Sequence, residues 1–142
     1  MNRIPWRRLT HAYGSAEAVP GRLSRVAWGD AATSASALAD LGLWLAELSV
    51  FDATVEAVPF FWDLAVTGSV TGRSEVIHLL TTVLEQGNPP RPDVQYAAHR
   101  AVLEGRTRAD RLTGDGDPSV RAAARGLVAA MDAHGCGPGC PA

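Results

Sequence analysis

Apolar residues recur at three- to four-residue intervals along most of this chain, the spacing that gathers them on one face of an α-helix. Trp6, Leu9 and Tyr13 share such a face and Gly14 follows as a stop, which predicts a short capping helix. Ser15 is the predicted cap of a helix reaching about Trp28 along Ala16, Val19, Leu23 and Val26, with Pro20 bending it. Asp30 then opens a helix whose inward stripe is Leu38, Leu41, Leu45 and Leu48. Asp52 opens another, apolar around most of its circumference as far as Leu64 and therefore expected in the middle of the fold. A loop over 67–72 precedes a helix over about 73–86 carrying Val76, Ile77, Leu80, Val83 and Leu84, which Gly87-Asn88-Pro89-Pro90 ends. One helix is predicted over about 93–112, and a last one starts with Asp117 as N-cap and Pro118 at its first position. Trp28, Trp44, Phe60, Phe61 and Trp62 fall in or beside inward stripes, where burying each ring contributes about 2–3 kcal/mol.

Glu-Ala-Val-Pro occurs at 17–20 and again at 56–59. An interval of about forty residues is the length of two helices with their turns, so the repeat points to stacked helical hairpins. The expected fold is all-α, a short right-handed α-solenoid of about three hairpins behind an N-terminal capping helix. The domain is expected to cover 1–134, with the Gly/Pro/Cys stretch 135–142 as a mobile tail.

The segment Asp117-Pro118-Ser119-Val120-Arg121-Ala122-Ala123-Ala124 is similar to the second helix of HEAT repeats. More narrowly, Trp6 to Leu9, His11-Ala12-Tyr13-Gly14, Val19-Pro20, Phe51-Asp52-Ala53-Thr54 and Ala57-Val58-Pro59-Phe60 resemble a group of HEAT-like proteins common in actinomycete bacteria. Many members of that group carry a His-Gln-Gly triplet shortly before the segment matching Phe51. This chain reads Ala46-Glu47-Leu48 there, so no role of the triplet carries over. The resemblance implies an α-solenoid that binds something; it names neither the partner nor a reaction.

Composition narrows the function more than it identifies it. The 142 residues are 46% apolar and 20% charged, within the range of a soluble globular domain. With 13 basic against 15 acidic residues the net charge is −2, which offers no general attraction to phosphate backbones, and a nucleic-acid partner is not expected. No apolar stretch approaches the roughly 18 residues that span a bilayer, and Met1 to Arg8 lacks the apolar core of a secretion signal. The cytoplasm is the expected location.

No catalytic constellation is legible, and neither an enzyme activity nor a cofactor is expected. His11, His78, His99 and His134 are far apart in sequence and none has a metal-site neighbour at helical spacing. His11 is expected to close a helix end and pack on Trp6 or Tyr13. In the tail, His134, Cys136 and Cys140 could offer three ligands to a soft metal, although a Cys-x-x-x-Cys with one histidine is a weak metal signal. The two thiols could equally close a ring or serve as sites of modification.

The stronger candidates lie on the outward faces of the second helices, which would form a concave surface in a right-handed stack. They are Asp40, Leu43 and Glu47 on one helix and Glu75, His78, Leu79, Thr82 and Gln86 on the next, with Arg121 and Arg125 adding positive charge at the far end. For Arg121 the alternative is an internal bond to the region of Asp117. Leu43 and Leu79 are expected to face outward as interface residues. The leading expectation is a noncatalytic scaffold binding another protein through this face, for instance neutralising a toxin or controlling an enzyme. A second copy of the chain is the other candidate partner. The alternative is a recognition body presenting the cysteine tail for modification or metal binding.

Overall fold

A computed structural model describes residues 3–134. The described chain is mostly helical: α1 (Val19–Trp28), α2 (Ala31–Gly42), α3 (Asp52–Val66), α4 (Arg73–Glu85), α5 (Pro92–Leu103), α6 (Arg106–Leu112) and α7 (Pro118–Ala133). None of these helices is long and apolar enough to cross a membrane. The expected tail over 135–142 lies outside the described residues.

Several helix starts follow local chemistry. The Asp30 carboxylate accepts from the Thr33 amide at 2.8 Å, and Asp117 accepts from the Ser119 amide at 2.8 Å with Pro118 behind it. At α3, Phe51 occupies the cap position; its amide donates to Thr54 Oγ1 at 3.0 Å, while Thr54 Oγ1 donates to the Leu45 carbonyl at 2.6 Å. Asp52 therefore stands at the first helical position and not at the cap.

Helix α1 packs on α2, and α3 packs on both α4 and α5. Helix α4 lies along α7, and α7 also covers α6. One continuous core joins them, with Leu41, Leu45, Phe61, Ile77, Leu80 and Leu127 fully buried.

The N-terminal segment departs from the expected capping helix. Only Trp6–Arg8 makes a 3-10 turn, after which Thr10–His11 and Gly14–Ser15 pair as a two-stranded hairpin, β1 and β2. Gly14 sits at φ +131°, which L side chains rarely adopt and a helix cannot contain. Tertiary bonds hold the strand: the Thr10 amide and hydroxyl both donate to Asp52 Oδ1, and the Ala12 amide donates to the Trp44 carbonyl. Consequently Trp6 is buried against Phe60 while Tyr13 is exposed. His11 closes no helix; it stacks on Trp44, with ring centroids 4.8 Å apart, and touches Tyr13 only edge-on.

The two Glu-Ala-Val-Pro copies occupy unlike positions. Ala16–Ala18 form a 3-10 turn and Pro20 falls in the first turn of α1, where no amide is needed, so it bends nothing. Pro59 lies inside α3. Trp28 was expected in the core but is 86% exposed, because it stands two residues beyond buried Val26 and so points to the opposite side of α1. Leu48 is also exposed. The helical path after α2 widens into a π turn at Leu43–Glu47, which shifts the phase of the Leu38, Leu41, Leu45 stripe before it reaches Leu48.

The helix expected over 93–112 is two helices. Trp62, nearly fully buried in α3, lays its indole against the backbone of Gly105, where no side chain fits, and the chain turns between α5 and α6 at that point.

Candidate functional site

Alanine and serine at four- and three-residue spacing put a low, narrow face on α2. That face meets α4 with the two helices running in the same direction, since Gly72 at the start of α4 lies beside Ser34 and Leu38, and Gly42 at the end of α2 lies beside Leu79. Between them runs a groove of about 480 Å³. Its floor is Ala31, Ser34, Ala35, Leu38, Ala39 and Gly42 from α2, and its other wall is Thr71, Gly72, Glu75, His78, Leu79 and Thr82. Glu47, carried on the π turn, closes one end.

The groove is small-residued and apolar at the bottom with carboxylates at the rim. Glu75 Oε2 accepts from the Ser74 hydroxyl at 3.0 Å, and Thr82 Oγ1 donates to the His78 carbonyl at 3.0 Å. Glu47, Glu75 and His78 enter no ion pair among the described residues, and no arginine or lysine lines the groove. The Ser34 hydroxyl is buried in the floor without a hydrogen-bond partner. Having no base on it, it is not an activated nucleophile. It is instead a buried polar group whose desolvation is uncompensated among the described residues. Among the described residues no three His, Cys, Asp or Glu side chains converge on a point where a metal could sit.

Of the expected binding residues, Glu47, Glu75, His78, Leu79 and Thr82 meet in this groove. Leu79 does not face outward: it is 8% exposed and closes over Gly42, whose missing side chain leaves room for its Cδ2. Leu43 is half-buried and outside the groove, so neither leucine is a free apolar projection. Asp40 turns to α1, where it accepts from Arg22 Nε at 2.9 Å, and the Arg22 guanidinium lies 5.1 Å over the Trp44 ring that His11 covers. Gln86 ends α4 away from the groove, and its carbonyl accepts from His99 Nε2.

The basic end is also differently employed. Arg121 donates to the carbonyls of Asp115 at 2.8 Å and Gly116 at 3.2 Å, the internal bond considered as its alternative. It braces the loop before α7 through Nη1. Arg125 is exposed on α7, outside the groove. Sequence reasoning passed over Ala31, Ser34, Ala35 and Ala39, although their spacing was a readable sign of a helix face with no bulk.

No family model, no curated protein and no solved structure matches this chain.

Proposed function

We propose that this chain is a short HEAT-like α-solenoid of about three hairpins and a noncatalytic binding scaffold, whose α2–α4 groove takes a lysine- or arginine-bearing amphipathic helix of another protein. The observation that carries the reading is the pairing of an alanine-lined floor with unpaired rim carboxylates in one groove. A floor of Ala31, Ala35, Ala39 and Gly42 lets a helix backbone approach closely, and its apolar stripe displaces water from Leu38 and Leu79. Glu47 and Glu75 then meet cations on the flanks of that helix, which selects orientation and partner more than it adds affinity. The solenoid part of the reading is supported by the common direction of α2 and α4 and by the contact of α4 with α7. Masking such a helix in a toxin or an enzyme is the form of action that suits a small acidic groove without chemistry of its own.

The test is selection of a displayed library of helical peptides against the full chain. Basic amphipathic sequences are expected to be enriched, to lose binding to Ala39→Trp, which fills an exposed groove position without touching the core, and to lose it to Glu47→Lys/Glu75→Lys while acidic peptides gain. Enrichment that survives Ala39→Trp, or binding indifferent to the charge reversal, would refute the assignment.

A further inference from the structure

A second cleft, of about 130 Å³, lies between α1 and α3 and shares no lining residue with the α2–α4 groove. Buried Leu23 and Leu64 form its floor beside Ala27, Trp28 and Phe60 supply two aromatic rings, and Asp63 is its charged residue. Neither Trp28 nor Asp63 is fully engaged inside the molecule. The Trp28 ring is 86% exposed and has no aromatic, cationic or hydrogen-bonding neighbour among the described residues. The Asp63 side chain is two-thirds exposed, and its Oδ1 stands 3.6 Å from Arg108 Nη1, an ion pair longer than a hydrogen bond. Its Oδ2 has no partner among the described residues.

We propose that this α1–α3 cleft binds one arginine side chain of another protein, its guanidinium stacked on Trp28 and paired with Asp63. An indole face beside a carboxylate attracts a cation twice, through the ring quadrupole and through the charge. The chain holds a completed example of the same grouping. Arg22 of α1 lays its guanidinium 5.1 Å over the Trp44 ring while its Nε donates to Asp40 of α2 at 2.9 Å. Trp28 and Asp63 repeat the indole and the carboxylate on α1 and α3, and no arginine among the described residues stacks on Trp28. Size sets the occupant: at about 30 Å³ per water in the liquid, the cleft has room for about four waters, enough for the head of one side chain and too little for a helix. Arginine is selected over lysine because its flat, weakly hydrated guanidinium stacks on a ring and still presents N–H groups to a carboxylate, whereas an ammonium holds its water. Exposure of Trp28 and Asp63 lets both groups be reached without opening the core.

The test is titration of the full-length chain with capped glycine peptides carrying arginine, lysine or alanine at the centre, followed by NMR at the Trp28 indole N–H and the Leu64 methyl groups. At low ionic strength the arginine peptide is expected to shift both signals saturably, with a Kd on the order of 1 mM. The lysine peptide should bind at least roughly threefold more weakly, and the alanine peptide should leave the signals in place. Asp63→Asn should weaken arginine binding at least roughly threefold, and Trp28→Ser, followed at Leu64, at least roughly fivefold. Both positions are exposed, and circular dichroism matching the parent establishes that each variant is folded. Ala39→Trp, which fills the α2–α4 groove, should leave this binding unchanged, so the two sites are read separately. No saturable shift, lysine binding as tight as arginine, or parental affinity in Asp63→Asn or Trp28→Ser overturns the site. A Trp28 signal that moves with protein concentration in the absence of peptide, together with a dimer mass by light scattering, overturns it in favour of a second copy covering Trp28.

Discussion

Replacing Gly105 by alanine isolates the contact that divides α5 from α6. The backbone there has φ −88° and ψ 15°, open to any L residue, so the effect of a methyl group is steric and not conformational. An added Cβ would stand 2.5 Å from Trp62 Nε1 and closer still to Cε2 and Cζ2, whereas ordinary contact begins near 3.4 Å. Ring or backbone must therefore retreat by roughly 1 Å in an interior packed without spare volume. Trp62 is 3% exposed and has nowhere to swing. Overpacking of this kind costs about 1–3 kcal/mol, against which the lower entropy of an unfolded alanine returns about 0.4–1 kcal/mol. The expected net loss is about 1.3 kcal/mol, or a fall in Tm of roughly 4–5 °C. Urea denaturation followed by circular dichroism and by tryptophan emission measures it. Gly126→Ala is the matched control: it is exposed within α7 with nothing near its Cβ position, and it should gain about 0.5–1 kcal/mol. Trp62→Phe in the Gly105→Ala background should recover part of the loss, so the double variant is more stable than the two single effects added together. A Gly105→Ala protein at least as stable as the parent would refute the account of the α5–α6 break.

Trp28→Ser should leave stability within about 0.5 kcal/mol, checked by the same denaturation, since an 86% exposed ring loses almost nothing. Thr54→Val removes both hydrogen bonds of a fully buried hydroxyl and should cost about 1–3 kcal/mol at constant m value. The Arg73 side chain and the Asp117 amide hold the Asp115 carboxyl below its usual pKa of 3.8, so the stability it contributes is complete above that value and is lost as pH falls through the lower folded value. Asp115→Asn should flatten the acid limb of stability below about pH 4, and an unchanged limb would exclude the pair as its source. Burial pushes the His11 imidazole below its usual 6.5, and its Nδ1 accepts from the Tyr13 amide, so its contribution is complete above 6.5 and declines as pH drops below it. The stability difference between the parent and His11→Leu should shrink on going from pH 7.5 to 5.5.

Local chemistry was enough for much of this molecule. Asp30 and Asp117 start their helices through bonds to amides two or three residues on, and Pro89-Pro90 stops α4, because each signal is satisfied within one turn of chain. The 3.6-residue period likewise determined that Leu41, Leu45, Ile77 and Leu80 are inside, whatever they meet there. Tertiary structure decided the rest. The segment 10–15 became a hairpin because Asp52 and the Trp44 carbonyl offer acceptors more than thirty residues away, and the helix over 93–112 broke because an indole from α3 claimed the space at Gly105. The same distinction runs through the candidate sites. The carboxylates of Glu47 and Glu75 were visible as outward charges, but only packing set them on one groove while turning Asp40 to Arg22 and Arg121 to the Asp115 loop. His99 and His134 were read as far apart in sequence; that their rings meet, with Nδ1 of one 3.1 Å from Nε2 of the other, depends on how α5 and the end of α7 pack, which no short-range pattern encodes.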